Sequence, residues 1–393
     1  MTKINNNYVN PLFSSYMQND FVSFSKHVKS GVNINCINEE NYSLISLIIK
    51  NSLEIKDNKK FFDLLISSGV NLKQIGWEKD LLTTCVIHQK DTYYAKELLK
   101  NNININSSGV SGSYEGYADE EYEEGWMFAE DGVIKVKYGP PIFEALKEGN
   151  IEYFELFLKN KASLDVLDSY GGPILHFLIN GSCDDIYDNA TEKKIFETLL
   201  DHDVDIYNRD ETGSDIIKLL IGWQKKELFK SLFEKRKNIN VNTRDKMGRT
   251  PLINSVSYGS GLLYTKTLIK HGANLDLYDV ENINALIMSI SCEDMKLFKL
   301  LVKSGANVSS SDKLGNNVLH FIANLNSHPH SKECCEIILN KNPNLLTEKN
   351  NAGKSALDIF KSSGIYKDGN QKFFDKFIKK ANNKKSKKIS QEL

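Results

Sequence analysis

"GRTPLINSVSYGSGLLYTKTLIKHGANLDLYD", Gly248 to Asp279, packs a turn, two helix starts and a stop signal into one short stretch. Gly248 supplies the positive φ that a tight turn demands. Thr250-Pro251 begins a helix: Thr caps exposed amides, and Pro at the first helical position gives up no bond. Gly272, just behind Lys270 and His271, ends a second helix in the left-handed conformation.

The same signals recur along the chain. "KSGANV" (Lys303 to Val308) echoes "KHGANL" (Lys270 to Leu275) 33 residues later. "GNNVLHFIA" (Gly315 to Ala323), "NAGKSALDIF" (Asn351 to Phe360), "GGPILHFLI" (Gly171 to Ile179) and "GPPIFEALKEGN" (Gly139 to Asn150) take the place of "GRTPLINSV". "SSGVNL" (Ser67 to Leu72) and "KSGVNI" (Lys29 to Ile34) repeat the stop. Between start and stop lie apolar patterns such as "LFKLLVKSG" (Leu297 to Gly305) and "YFELFLKNK" (Tyr153 to Lys161), with Leu, Ile and Phe on one helical stripe. A two-helix unit this small cannot bury its apolar face alone, so neighbours must bury it jointly.

The pattern resembles the ankyrin repeat: a turn, then T-P-L-H-x-A, then two antiparallel helices. The resemblance runs over residues 8–380 and implies an all-α solenoid of about ten helix-turn-helix units. Units begin near Asn10, Tyr42, Asp80, Tyr138, Gly171, Gly213, Gly248, Asn282, Gly315 and Gly353. The first three lack the Thr-Pro-Leu-His core and rest on their stop signals. "GSCDDIYDNAT" (Gly181 to Thr191) reads as an extra loop between two helices. His176 and His320 fall at the motif's histidine position, where the family uses the ring to bond adjacent turns.

Composition narrows the function. Of 393 residues, 40% are hydrophobic and 26% charged, a foldable mixture. The formal net charge of −1 gives no global reason to expect nucleic acid or an anionic membrane as partner. No apolar run reaches the roughly eighteen residues of a membrane span, and "MTKINNNYVNPLF" lacks a signal-peptide core. Scattered cysteines (Cys36, Cys85, Cys183, Cys292, Cys334, Cys335) read as reduced thiols of a cytoplasmic protein.

The periodicity breaks at "SSGVSGSYEGYADEEYEEGWMFAEDGVIKVKY", Ser107 to Tyr138. Eight acidic residues (Glu115, Asp119, Glu120, Glu121, Glu123, Glu124, Glu130, Asp131) face two lysines, interleaved with Tyr114, Tyr117, Tyr122, Trp126 and Phe128. "GWMFAEDGVIKVKY" reads as a β-hairpin turning at "EDG". This acidic β-hairpin-like insertion suits a partner with a basic surface, the charge steering encounter and the aromatics anchoring it. The alternative is a loop packed back on the solenoid. The resulting division is residues 1–106 as degenerate repeats, 107–137 as insertion, 138–369 as repeats, and 370–393 as capping helix plus a disordered basic tail.

The turn tips are polar, as in "YNRDETG" (Tyr207 to Gly213) and "NTRDKMGR" (Asn242 to Arg249). Tyr207, Arg209, Arg244, Asp245, Arg249 and Tyr278 are contact candidates there, against a reading as plain solvated turns. His328, His330, Cys334 and Cys335 in "SHPHSKECCE" match no familiar zinc spacing, and the cysteines belong in helix packing. Neither a metal nor a cofactor is expected. No phosphate loop, G-x-S-x-G turn or H-E-x-x-H helix appears, and Gly259 and Gly261 sit in a helix-helix connection. With the residues committed to repeats, no room is left for a catalytic domain.

The family resemblance implies a non-enzymatic protein-binding scaffold, expected to be monomeric. Three roles stand open: a bacterial immunity or inhibitor protein neutralising a toxin through its concave face and acidic insertion; a secreted bacterial or viral effector docking on a host protein; or an enzyme with an unrecognised site.

Overall fold

The computed structural model describes residues 10–392, apart from 40–41, 52–54, 74–79, 90, 108–109, 115–125, 131–132, 138, 168–171, 181–185, 203, 258–260, 326–330 and 363–370; for residues 110–137 and 382–392 it describes the backbone alone. The chain divides into two compact units, residues 1–192 and 193–393.

In the first unit, helices come in antiparallel pairs: α1 (Pro11–Met17) with α2 (Phe21–Lys29), α3 (Leu44–Lys50) with α4 (Asn58–Ser67), α5 (Leu81–His88) with α6 (Tyr93–Lys100), and α7 (Pro141–Lys147) with α8 (Ile151–Lys159). α9 (Ile174–Ile179) follows, and α10 (Asn189–Asp201) carries the chain across the boundary. The pairs stack in two layers, α3 on α5 on α7 and α2 on α4. First helices are short and buried over most of their surface; in α3 every residue from Leu44 to Ile49 is buried. Second helices are one-sided, as the stripe predicts. α8 buries Tyr153, Phe154, Phe157 and Leu158 and exposes Glu152, Glu155 and Lys159.

The degenerate first repeats are held by a buried amide. Asn58 Oδ1 accepts from Tyr16 Oη at 2.9 Å, and Asn58 Nδ2 donates to Tyr94 Oη at 3.2 Å and to the Ile48 carbonyl. One side chain thus joins three helix pairs, and a buried polar group costs little when its bonds are made.

Between α6 and α7 lies an antiparallel sheet of order β1-β3-β2: β1 (Val110–Tyr114), β2 (Trp126–Glu130) and β3 (Val133–Lys137). β2 and β3 pair from Trp126↔Lys137 to Glu130↔Val133. β1 adds a third strand that the Ser- and Gly-rich sequence, without alternation, does not announce; its register shifts between Ser111 and Tyr114.

The second unit repeats the plan with α11 (Ile216–Gly222) and α12 (Lys226–Lys235), α13 (Pro251–Ser257) and α14 (Leu262–Lys270), α15 (Ala285–Ser291) and α16 (Met295–Lys303), and α17 (Val318–Asn324) and α18 (Ser331–Lys341). A 3₁₀ turn at Pro343–Leu346 leads to α19 (Ala356–Ser362) and α20 (Gln371–Glu392). Inner helices α11, α13, α15, α17 and α19 stack in order, as do outer helices α12, α14 and α16. Thr250 Oγ1 accepts from the Ile253 amide at 3.3 Å, opening α13 as Thr-Pro foretells. Gly272 has φ +84°, the left-handed stop. Gly261 is fixed by space instead: a Cβ there would sit 1.6 Å from the Ser255 carbonyl oxygen. Cys334 and Cys335 are buried in α18, as packing residues.

α20 buries Phe374, Phe377 and Ala381. Its backbone stays helical to Glu392, where the sequence suggested a disordered tail after Lys384. The Lys-rich segment "KKSKKISQE" consists largely of good helix formers, so an established helix can propagate through it.

Candidate functional site

At each hairpin tip of the second unit, one residue closes the turn. Asp210 Oδ1 accepts from the amides of Thr212 and Ser214 at 2.8 and 2.9 Å. Asp245 Oδ1 accepts from Met247 and Arg249 at 2.9 and 2.8 Å. Asp279, Asp312 and Asn350 do the same for their own turns. An Asx side chain bonding the amides two and four residues on turns the chain locally.

Successive tips are then joined to one another. The Lys246 amide donates to the Thr212 carbonyl at 3.2 Å, Val280 to Met247 at 3.0 Å, Lys313 to Glu281 at 3.2 Å and Asn351 to Leu314 at 2.9 Å. Arg209 Nη1 adds a bond to the Arg244 carbonyl at 2.8 Å, and Arg244 Nη1 one to the Tyr278 carbonyl at 3.1 Å. Tyr207 Oη accepts from the Asn240 amide at 2.8 Å. Arg249 Nε lies 3.7 Å from Asp279 Oδ2. The six tip candidates therefore form one connected ribbon. Arg209, Arg244 and Asp245 spend part of their bonding on holding it, which leaves Asp245 only Oδ2 for a partner.

The ribbon also carries apolar surface that the sequence reading passed over. Met247 is 52% exposed, Val280 39% and Leu314 64%, beside Tyr278 at 50%. The signal was present: an apolar side chain inside an Asp-x-x-Gly or Asp-x-x-Asn turn faces away from the turn's own bonds. Exposed apolar residues clustered on one ridge, unlike scattered ones, mark interaction surfaces.

Beneath the tips, His320 takes its motif role. Nε2 donates to the Lys354 carbonyl of the next unit at 3.0 Å, and Nδ1 accepts from the Asn317 amide at 3.2 Å. Lys218 occupies the equivalent slot on α11 and is 3% exposed, with no hydrogen-bond partner for Nζ. Burial pulls its pKa down, opposed by the nearby carboxylates of Asp215 and Asp245. Asp215 is itself buried, accepting from the Lys218 amide at 3.2 Å and from Thr243 Oγ1.

Of the insertion candidates, Tyr114 falls on β1 and Trp126 and Phe128 on β2. Tyr117, Glu120, Glu121, Tyr122, Glu123 and Glu124 lie outside the described residues, as do His328 and His330. Among the described residues, no three His, Cys, Asp or Glu side chains group as metal ligands. No described helix is long and apolar enough to cross a membrane.

A family model described as ankyrin repeats, in three copies, matches residues 212–312, the central part of the tip ribbon. The chain is 26% identical over 241 residues to an ankyrin repeat protein of Acanthamoeba polyphaga mimivirus, a match covering 58% of this chain and 30% of that protein. It is 26% identical over 166 residues to the phosphocholine transferase AnkX of Legionella pneumophila, covering 42% of this chain and 16% of AnkX. The chain thus spans under a third of the length of these relatives. The ankyrin repeat domain of Bcl-3 aligns with 56% of this chain and 92% of its own at 18% identity and a TM-score of 0.45. With the family model on the region of regular helix pairs and closed tips, residues 212–312 are ankyrin repeats.

Proposed function

We propose that the chain is a non-enzymatic protein-binding scaffold, and that the tip ribbon of the second unit contacts the partner. The observation that carries this is the exposed row of Met247, Val280, Leu314 and Tyr278 on a hydrogen-bonded ridge. A pre-ordered ridge loses little conformational entropy on binding. Tyr207, Arg209, Arg244, Asp245 and Arg249 flank that row. In the insertion, Tyr114, Tyr117, Tyr122, Trp126, Phe128 and Glu120, Glu121, Glu123 and Glu124 would serve a basic partner surface.

The role we favour is an inhibitor or immunity protein that neutralises a toxin. The similarity to mimivirus and Legionella pneumophila proteins supports a second reading, an effector docking on a host protein. The test begins with affinity capture from the native cell and mass spectrometry. The captured partner is then titrated against parent and the Met247→Asp, Leu314→Asp double variant. Binding weakened at least about tenfold, with thermal unfolding unchanged, is expected for residues of an interface core. Equal affinity sinks the tip assignment. Catalytic turnover lost on a single His or acid substitution would instead make the chain an enzyme.

A further inference from the structure

The outer helices of the second unit carry a charge asymmetry that repeat packing does not require. α14 reads "LLYTKTLIK" and is followed by His271; α16 reads "MKLFKLLVK". Neither helix contains a carboxylate. They pack side by side, burying Tyr264, Thr265 and Leu268 on one and Leu297, Phe298, Leu301 and Val302 on the other. Lys266, Lys270, His271, Lys296, Lys299 and Lys303 are exposed.

The acids that border the patch are few. Lys299 is paired with Glu333 of α18 at 2.5 Å. On the other side, α12 carries Glu227, already bridged to Lys230 at 2.7 Å, and Glu234. Asp294 caps α16, its Oδ1 accepting from the Lys296 and Leu297 amides at 3.0 Å, and Glu293 precedes it. Among the described residues, Lys266, Lys270, Lys296 and Lys303 have no carboxylate within ion-pair distance. In a chain of net charge −1, this is a local cationic island two helices wide.

Helix stability accounts for part of it. Lys270 and Lys303 stand in last turns, where a cation complements the helix dipole. Lys296 stands in the first turn of α16, where the dipole opposes it, and Lys266 is mid-helix. Helix propensity admits Lys at these two positions, but it would admit Glu equally, so it does not account for the lack of carboxylates on either helix.

We propose that the outer face of α14 and α16 is a second docking surface, for an acidic helical segment of a partner protein. It does not rest on the tip surface. Lys266 to Lys270 span one turn, about 6 Å along the axis, as do Lys303 and Lys299, the latter keeping its bridge to Glu333. Carboxylates at i and i+4 on a partner helix have the same spacing. Axes of packed helices lie about 8–10 Å apart, so one helix laid over the groove reaches both lysine rows. A single-stranded nucleic acid would want exposed aromatic platforms, but Tyr264 and Phe298 are each 1% exposed. A bilayer would want apolar side chains to insert, and of the large hydrophobic residues on these helices Leu262 alone is exposed.

The test uses the full chain and a fluorescein-labelled helical peptide with Glu at i, i+4 positions, read by anisotropy. Its Gln counterpart is the control peptide. Binding is expected for the Glu peptide, and it should vanish as ionic strength rises from about 0.01 to about 1 M, where the screening length falls from about 30 to about 3 Å. Changing Lys266, Lys270, Lys296 and Lys303 to Glu should weaken it at least about tenfold. The Lys→Gln set, less disturbing to the fold, should weaken it in the same direction. The same charge change at Lys26, Lys29, Lys96 and Lys159 of the first unit should weaken it by less than about twofold beyond long-range screening. The proposal is overturned if the Glu peptide does not bind, if Gln binds as well, or if both variant sets lose equally. It is also overturned if a DNA strand or phosphatidylserine vesicle binds this face and the peptide cannot compete.

Discussion

Arg244 donates from Nη1 to the Tyr278 carbonyl at 3.1 Å while its guanidinium lies 5.7 Å from the Tyr278 ring centroid. One side chain thus ties two consecutive tips through both backbone and ring. Because both residues are solvent-exposed, Arg244→Ala should cost only about 0.5–1 kcal/mol of stability, read as a lower urea midpoint. A shift several times larger would mean the tips, rather than the helix layers, hold the stack.

The helix layers should dominate. Leu301 is fully buried on α16 and its neighbour Leu300 is only half-buried. Leu301→Ala should therefore cost about 2–5 kcal/mol and Leu300→Ala distinctly less. Equal melting temperatures for the two variants would contradict the stacking described for this unit.

Lys218 should be a liability at neutral pH. Its pKa is lowered in the folded state, so between that value and the ordinary value of 10.5 the unfolded chain binds more protons than the folded one. Stability contributed at this site accordingly rises as pH rises through that window. Lys218→Met keeps the stem and removes the charge. It should raise the melting temperature at pH 7, and the gain should shrink toward pH 10. A Met variant less stable than parent at pH 7 would mean that the ammonium is partnered in solution.

Thiol chemistry offers a site-by-site probe of opening. Burial pushes Cys334 up to about 11, Cys335 well above the usual thiol range and Cys292 upward too, but of the three only Cys292 is exposed on the surface. Alkylation followed by peptide mass spectrometry should label Cys292 before Cys334, and Cys335 only as the unit unfolds. Early labelling of Cys335 would show that α18 opens on its own.

For the insertion, the expected outcome is a split between rates. Changing Glu120, Glu121, Glu123 and Glu124 to Gln should slow association with a captured basic partner and flatten its salt dependence. Trp126→Ala should speed dissociation, at a cost of about 2 kcal/mol or more. If both variants bind as the parent does, the insertion is a bystander and the tips remain.

Much of the architecture is legible in local rules. The unit starts read from the sequence fall within a few residues of helix N-caps Asn10, Ser43, Asp80, Asn284 and Asn317, because caps and left-handed glycines are decided by nearest neighbours. The stop at Gly272 is such a case. What escaped notice is set by contacts far apart in sequence. Met247, Val280 and Leu314 form a row only because the ladder aligns their turns. Lys218 in a histidine slot offends composition rules in a way that burial alone exposes. Asn58 looks like any polar residue until Tyr16 and Tyr94 converge on it.

The turn-closing aspartates carry a last implication, for descent. Since Asp245 and Asp279 receive the same pair of amides, and each tip meets its neighbour through the same bond, the seams between units are interchangeable. Loss or duplication of one whole unit at such a seam would leave equivalent donors and acceptors facing each other across the new junction. Whole units are therefore the natural step in which this ridge could be lengthened or shortened, because what a tip displays is separate from the bonds that join it to its neighbours.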